Sequence, residues 1–203
     1  SGGVDSTFLT KVAKDVLGEN AVAVTISSIL VTDDELKEAV NGHNDGITDT
    51  SITEVKLGAD IAIPASAGMG IYVVNDFTFD LNGYTLDITN DNTSMQIVYG
   101  SNGVEDFISG SLTITDTSTS QTGTIKLGIK PIFVYQNNTS NTGMHYNLTI
   151  DGGKFYGISG AYNSFFEFNT SNSYYWKDKL ITFDFKITKG YFEHVSTNMS
   201  SII

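Results

Sequence analysis

The apolar residues of this chain change period near residue 50, and the change divides it in two. Between Thr7 and Leu17, the residues Phe8, Leu9, Val12, Ala13, Val16 and Leu17 fall on one helical face, with Lys11, Lys14 and Asp15 on the other. That spacing predicts an amphipathic helix, closed by Gly18 as a C-cap. A glycine-rich turn, Ser1-Gly2-Gly3-Val4-Asp5-Ser6, precedes it, and the continuous apolar run Ala21-Val22-Ala23-Val24-Thr25-Ile26 follows as a buried parallel strand. A second helix is expected over Thr32 to Val40, where Thr32 and Glu35 have the spacing of a capping box.

Beyond a polar connector at Gly42 to Thr50, the pattern alternates with period two. Thr53-Glu54-Val55-Lys56-Leu57, Phe77-Thr78-Phe79-Asp80-Leu81 and Thr85-Leu86-Asp87-Ile88 read as short strands. Leu112-Thr113-Ile114-Thr115, Leu148-Thr149-Ile150-Asp151 and Phe183-Asp184-Phe185-Lys186-Ile187 do the same, with Asn-Gly, Gly-Gly and Ser-rich turns between. The tripeptides Leu86-Asp87-Ile88, Leu112-Thr113-Ile114, Leu148-Thr149-Ile150 and Phe185-Lys186-Ile187 recur at 26, 36 and 37 residues. Such uneven spacing suits a β-solenoid, in which loops of varying length leave a regular core of stacked rungs. An antiparallel sandwich is the alternative. In the solenoid, Leu86, Leu112 and Leu148 are expected to stack in the interior, with the middle residue of each tripeptide pointing out.

Composition narrows the function. The chain has 203 residues and a net charge of -12, and its eleven basic residues are all lysines. Without arginine it has no bidentate fork for phosphate or guanine, so nucleic acid is an improbable partner. Without cysteine there are no disulfides, thiolate metal sites or Cys nucleophiles. No apolar run approaches the roughly 20 residues of a membrane-spanning helix.

Two resemblances follow from particular residues. Ser1-Gly2-Gly3-Val4-Asp5-Ser6, with Thr7-Phe8-Leu9 and Ala21 to Thr25, resembles the SGGxDS loop of the PP-loop ATP pyrophosphatases, nearest to ATP-dependent sulfur transferases. That resemblance covers residues 1–27. It implies ATP with Mg as cofactor, Ser1, Gly2, Gly3 and Ser6 around the pyrophosphate, and Asp5 organising the loop or a metal. The second resemblance spans residues 31–192. The order Glu35 to Val40, Val55-Lys56-Leu57-Gly58-Ala59-Asp60-Ile61, Phe79-Asp80-Leu81-Asn82-Gly83-Tyr84-Thr85-Leu86, Gly110 to Asp116, and Leu148 to Phe155 is similar to pectate-lyase-like regions of large bacterial surface proteins. It implies a short capping helix leading into a right-handed parallel β-helix. Pectate lyases pair Ca²⁺-binding aspartates with an arginine base, and this chain has no arginine.

The expected fold is therefore mainly β: a right-handed parallel β-helix (solenoid) with a short N-terminal α/β segment. Residues 1–30 form a PP-loop-like fragment, 31–50 a capping helix and connector, and 51–203 an incomplete β-helix. The expected function is non-enzymatic, that of an extracellular, adhesin-type surface segment with no cofactor and no membrane insertion. The rival is a cytoplasmic PP-loop enzyme carrying a β-rich appendage. The expected partner is a neutral glycan or a host or bacterial surface, the glycan stacking on Tyr174, Tyr175 and Trp176, a cluster that otherwise serves as an aromatic plug. Asp80, Asp87, Asp116 and Asp151 recur at rung-like positions, either to hold a cation or, more simply, to form turns. His43, His145 and His194 lack metal-ligand spacing and read as isolated surface histidines.

Overall fold

The computed structural model describes residues 53–64, 69–73, 75–90, 95–99, 109–136, 145–158, 164–168 and 182–195. The Ser1 to Ser6 loop, both expected helices and Tyr174, Tyr175 and Trp176 lie outside the described residues. So do the bounds of the 1–30 and 31–50 segments.

Among the described residues all regular structure is strand. The strands are β1 (Glu54–Lys56), β2 (Ile61–Ala62), β3 (Met69–Val73), β4 (Asp76–Asp80), β5 (Thr85–Ile88) and β6 (Met95–Tyr99). They continue with β7 (Ser109–Thr115), β8 (Thr124–Leu127), β9 (Ile132–Gln136), β10 (His145–Gly157), β11 (Phe166–Phe168) and β12 (Thr182–His194). Every pairing between them is parallel. An antiparallel sandwich is thereby excluded for this region.

Eight strands form one curled sheet, in the order β1-β4-β7-β10-β8-β5-β2, with β12 added against β10. The remaining four form a second sheet in the order β11-β9-β6-β3. The long β10 explains the curl. Its first half pairs with β7 and its second half with β8, and the bend between them falls at Gly152 and Gly153, with φ of 152° and 83°. Side chains cannot replace these hydrogens cheaply. A Cβ on Gly153 would sit 2.6 Å from Leu81 Cδ1, and one on Gly152 would sit 2.9 Å from the Asp116 nitrogen. The chain turns the same corner two passes earlier through Asn82 and Gly83, both in the left-handed region at φ 49° and 84°.

The two sheets share one apolar core. Period-two alternation sends Val55, Phe79, Ile114 and Ile150 inward in one register column, each at most 4% exposed. The adjacent inward column is Phe77, Leu112, Leu148 and Phe185. Leu112 and Leu148 do stack as the repeats predict, but Leu86 does not join them. It is also fully buried, yet it lies on β5 in a different column with Ile61, Ile125 and Phe155. The recurrence at 26 residues matched tripeptides from two different runs of strands, whereas those at 36 and 37 followed a single run. Towards β12 the core becomes aromatic: Phe155 stacks on Phe192 at 4.8 Å, and Phe166 packs against Phe155, Phe185 and Phe192.

Candidate binding face

The recurring aspartates come first, because a cation would need their oxygens. Asp80 is fully buried and Asp116 nearly so. Asp80 Oδ1 accepts the Asn82 and Thr117 N–H groups at 2.8 and 3.0 Å, and Oδ2 accepts the Thr117 hydroxyl at 2.5 Å. Lys56 Nζ lies 2.9 Å from the same Oδ2 and donates to Thr117 Oγ1 at 2.8 Å. Burial alone would raise the Asp80 pKa, but hydrogen bonds from Thr117, Lys56 and Asn82 outweigh it and hold the carboxyl below its usual range. Asp116 Oδ1 accepts from the Gly83 and Ser118 N–H groups, and Oδ2 from Gly123 N–H at 2.7 Å.

Both carboxylates thus satisfy backbone donors that the corner loops would otherwise bury unpaired. They tie one pass of the chain to the next. Asp87 accepts from the Thr89 N–H and hydroxyl, and Asp151 from the Thr188 hydroxyl. Asp116 lies in the loop between β7 and β8, Asp80 at the end of β4, Asp87 within β5, and Asp151 within β10 beside the Gly152–Gly153 bend. Among the described residues no group of three or more His, Asp or Glu could hold a metal ion.

The histidines divide. His145 is exposed and bonds Thr182 Oγ1 through Nδ1 at 2.8 Å, with Asp184 3.4 Å from Nε2. His194 is half-buried, and its ring meets Phe165 edge-on at 6.0 Å, so it belongs to the packing and not to an isolated surface position. Buried Tyr99 directs its hydroxyl to the Asn147 carbonyl at 2.5 Å, and burial raises its pKa.

Among the described residues, what remains outward and apolar is concentrated on the outer face formed by β5, β8, the second half of β10 and the second half of β12. Two register columns run across it. One contains Asp87, Lys126, Tyr156 and Glu193, and the other Thr85, Thr124, Lys154 and Tyr191. Tyr191 is 51% exposed. Its ring lies 6.1 Å from that of Tyr156 at a tilt of 59°, and its hydroxyl donates to Glu193 Oε2 at 2.9 Å. That hydrogen bond to a carboxylate raises the Tyr191 pKa. Ile158 and Val195, which follow directly in the same two passes, are exposed as well. Sequence reading missed this pair, since Tyr156 and Tyr191 are far apart and meet only through the pairing of β10 with β12.

No known family matches the chain, and no solved structure matches it. A curated protein of Synechocystis sp. (strain ATCC 27184 / PCC 6803 / Kazusa), described as "Uncharacterized protein slr1717", is similar over a short stretch. The two are 59% identical over 39 residues, 19% of this chain and 15% of that protein.

Proposed function

We propose that this chain is part of a right-handed parallel β-helix belonging to a surface or adhesin-type protein, and that it works by binding carbohydrate and not by catalysis. The observation carrying the reading is the all-parallel, in-register stacking in which each pass adds a strand to the same runs: β1-β4-β7-β10, β2-β5-β8-β10 and β3-β6-β9-β11. A chain that repeats three strand directions per pass is wound as a coil, and parallel crossovers are overwhelmingly right-handed. Such a coil offers long flat outer faces with outward side chains at fixed intervals, a geometry suited to extended polymers. Asp80, Asp87 and Asp116 accept from backbone N–H groups and Asp151 from the Thr188 hydroxyl, so each of the recurring aspartates is engaged in holding the fold.

Affinity electrophoresis tests the ligand class. Migration of the chain should be slowed by gels containing a neutral polysaccharide and unaffected by DNA or a polyuronate, because a chain at -12 repels polyanions. Retardation by polyanions alone would overturn the reading. The SGGxDS motif at Ser1 to Ser6 supports the second reading, an ATP-using PP-loop protein. We expect calorimetry to give at best millimolar ATP affinity; micromolar binding abolished by Asp5→Ala would instead promote the enzyme.

A further inference from the structure

We infer that Tyr156 and Tyr191, with Lys154 and Glu193, form a neutral-glycan subsite on the outer face of β10 and β12. The inference rests on the carbohydrate reading above and deepens it by naming the site and the charge class of the sugar.

The argument begins with the columns. Phe155 and Phe192 point into the core, so alternation turns Lys154, Tyr156, Tyr191 and Glu193 outward. Tyr156 and Tyr191 sit on neighbouring strands, about 4.7–4.9 Å apart at the backbone, offset along the strand by two residues. Their rings, 6.1 Å apart and tilted by 59°, do not stack on each other. Two amphipathic rings on adjacent strands suit consecutive units of a linear sugar, whose C–H faces pack on aromatic faces while its hydroxyls seek polar partners.

Those partners are in the same columns. Glu193 offers acceptor oxygens and already holds the Tyr191 hydroxyl, and Lys154, paired in register with Tyr191, offers donors. Charge selects among sugars. The two columns carry Asp87 and Glu193 against Lys126 and Lys154, so the face is balanced, and Lys126 lies 4.0 Å from Asp87. A sialylated or uronate chain would find no net positive field here, and it would meet the chain's overall charge of -12. A neutral glycan faces neither penalty. Ile158 and Val195 extend the apolar surface at one end of the face.

A glycan array of neutral, sialylated and uronate oligosaccharides tests this with the full chain and the variants Tyr156→Ala, Tyr191→Ala, Tyr191→Phe and Trp176→Ala. We expect the wild type to bind neutral glycans with little salt dependence, and either tyrosine-to-alanine change to weaken that binding by about tenfold or more, the loss of one stacking contact. Tyr191→Phe keeps the ring and should retain most of the affinity, which separates stacking from misfolding. If the wild type binds neutral glycans and both alanine variants match it within about twofold while Trp176→Ala loses binding, this subsite is wrong although the carbohydrate reading survives. If the wild type binds no glycan, both fall. Tyrosine variants that abolish self-association instead of sugar binding would also overturn the subsite, assigning this face to a protein contact.

Discussion

At the residue scale, Asp80 carries the most physical consequence for its size. A carboxylate without solvent contact is tolerated because two backbone N–H groups, a hydroxyl and a lysine all point at it. Its folded pKa lies below the ordinary 3.8. A depressed folded pKa gives stabilisation that is complete above the unfolded value and is lost as pH falls through the folded one. The affected window is therefore below about pH 4. Asp80→Asn keeps the shape and removes the charge. It should cost about 1.5–3 kcal/mol at pH 7, the range for hydrogen bonds to charged groups, because half-exposed Lys56 can return to water. Urea denaturation at pH 7 and pH 3 checks both parts, since the variant should lose less stability on acidification than the wild type. Equal losses would mean that Asp80 is not anionic in the folded protein. The aspartates were visible in the sequence, but the choice between cation ligand and corner brace was not. It depends on which N–H groups converge on each carboxylate, and Asp116 meets Gly83 from the preceding pass and Gly123 from its own corner loop.

At the scale of the strand, the period-two pattern is reliable wherever one face is wet. Leu112 is fully buried between Phe77 and Leu148, while Thr113 beside it is half-exposed in an outward column with Thr78 and Thr149. Leu112→Ala should therefore cost about 2–5 kcal/mol by leaving a cavity between three strands. Thr113→Ala should stay within about 0.5 kcal/mol, as for other surface changes. Paired chemical-denaturation curves decide the matter, and similar costs at the two positions would mean that the inward and outward assignments are exchanged. The same alternation explains what could not be read. β6, Met95–Tyr99, buries four of its five residues, so its signal is a short apolar run without period, and no repeat identified the second sheet it belongs to. Leu86 misled for a related reason. Leu-Asp-Ile on β5 and Leu-Thr-Ile on β7 share a pattern because both bury one face, and nothing in either tripeptide says which run of the curled sheet it occupies. The tyrosine pair was harder still. Extra residues at the bend shift the register between Ile150 and Lys154, so only the completed pairing sets Lys154 opposite Tyr191 and Tyr156 opposite Glu193.

At the scale of the whole molecule, stability should follow position in the stack. Among the described strands, each pairs only with those of the preceding and following passes, so cohesion is a sum of neighbour contacts and the ends hold less than the middle. The burial pattern already grades this way. In one inward column Phe79, Ile114 and Ile150 are fully covered, whereas Ile187, next in line on β12, is 40% exposed. β12 also has half-exposed Phe183, Phe185 and Phe192, and places Lys186 and Lys189 on its outward side, charges of the kind that discourage pairing with foreign strands at an edge. Backbone amides of β7 and the first half of β10 have strand partners on both sides, while among the described strands β12 pairs with β10 alone. Hydrogen exchange followed by mass spectrometry should therefore find the slowest amides in β4, β7 and β10 and exchange at least about tenfold faster in β12, an opening free energy lower by about 1.4 kcal/mol or more. The gradient distinguishes a stack of neighbour contacts from a single cooperative core. Uniform protection from β4 through β12 would show that the aromatic cluster around Phe155, Phe166 and Phe192 locks the end of the stack as firmly as its centre, and that the exposed side of Ile187 is no measure of how readily this strand opens.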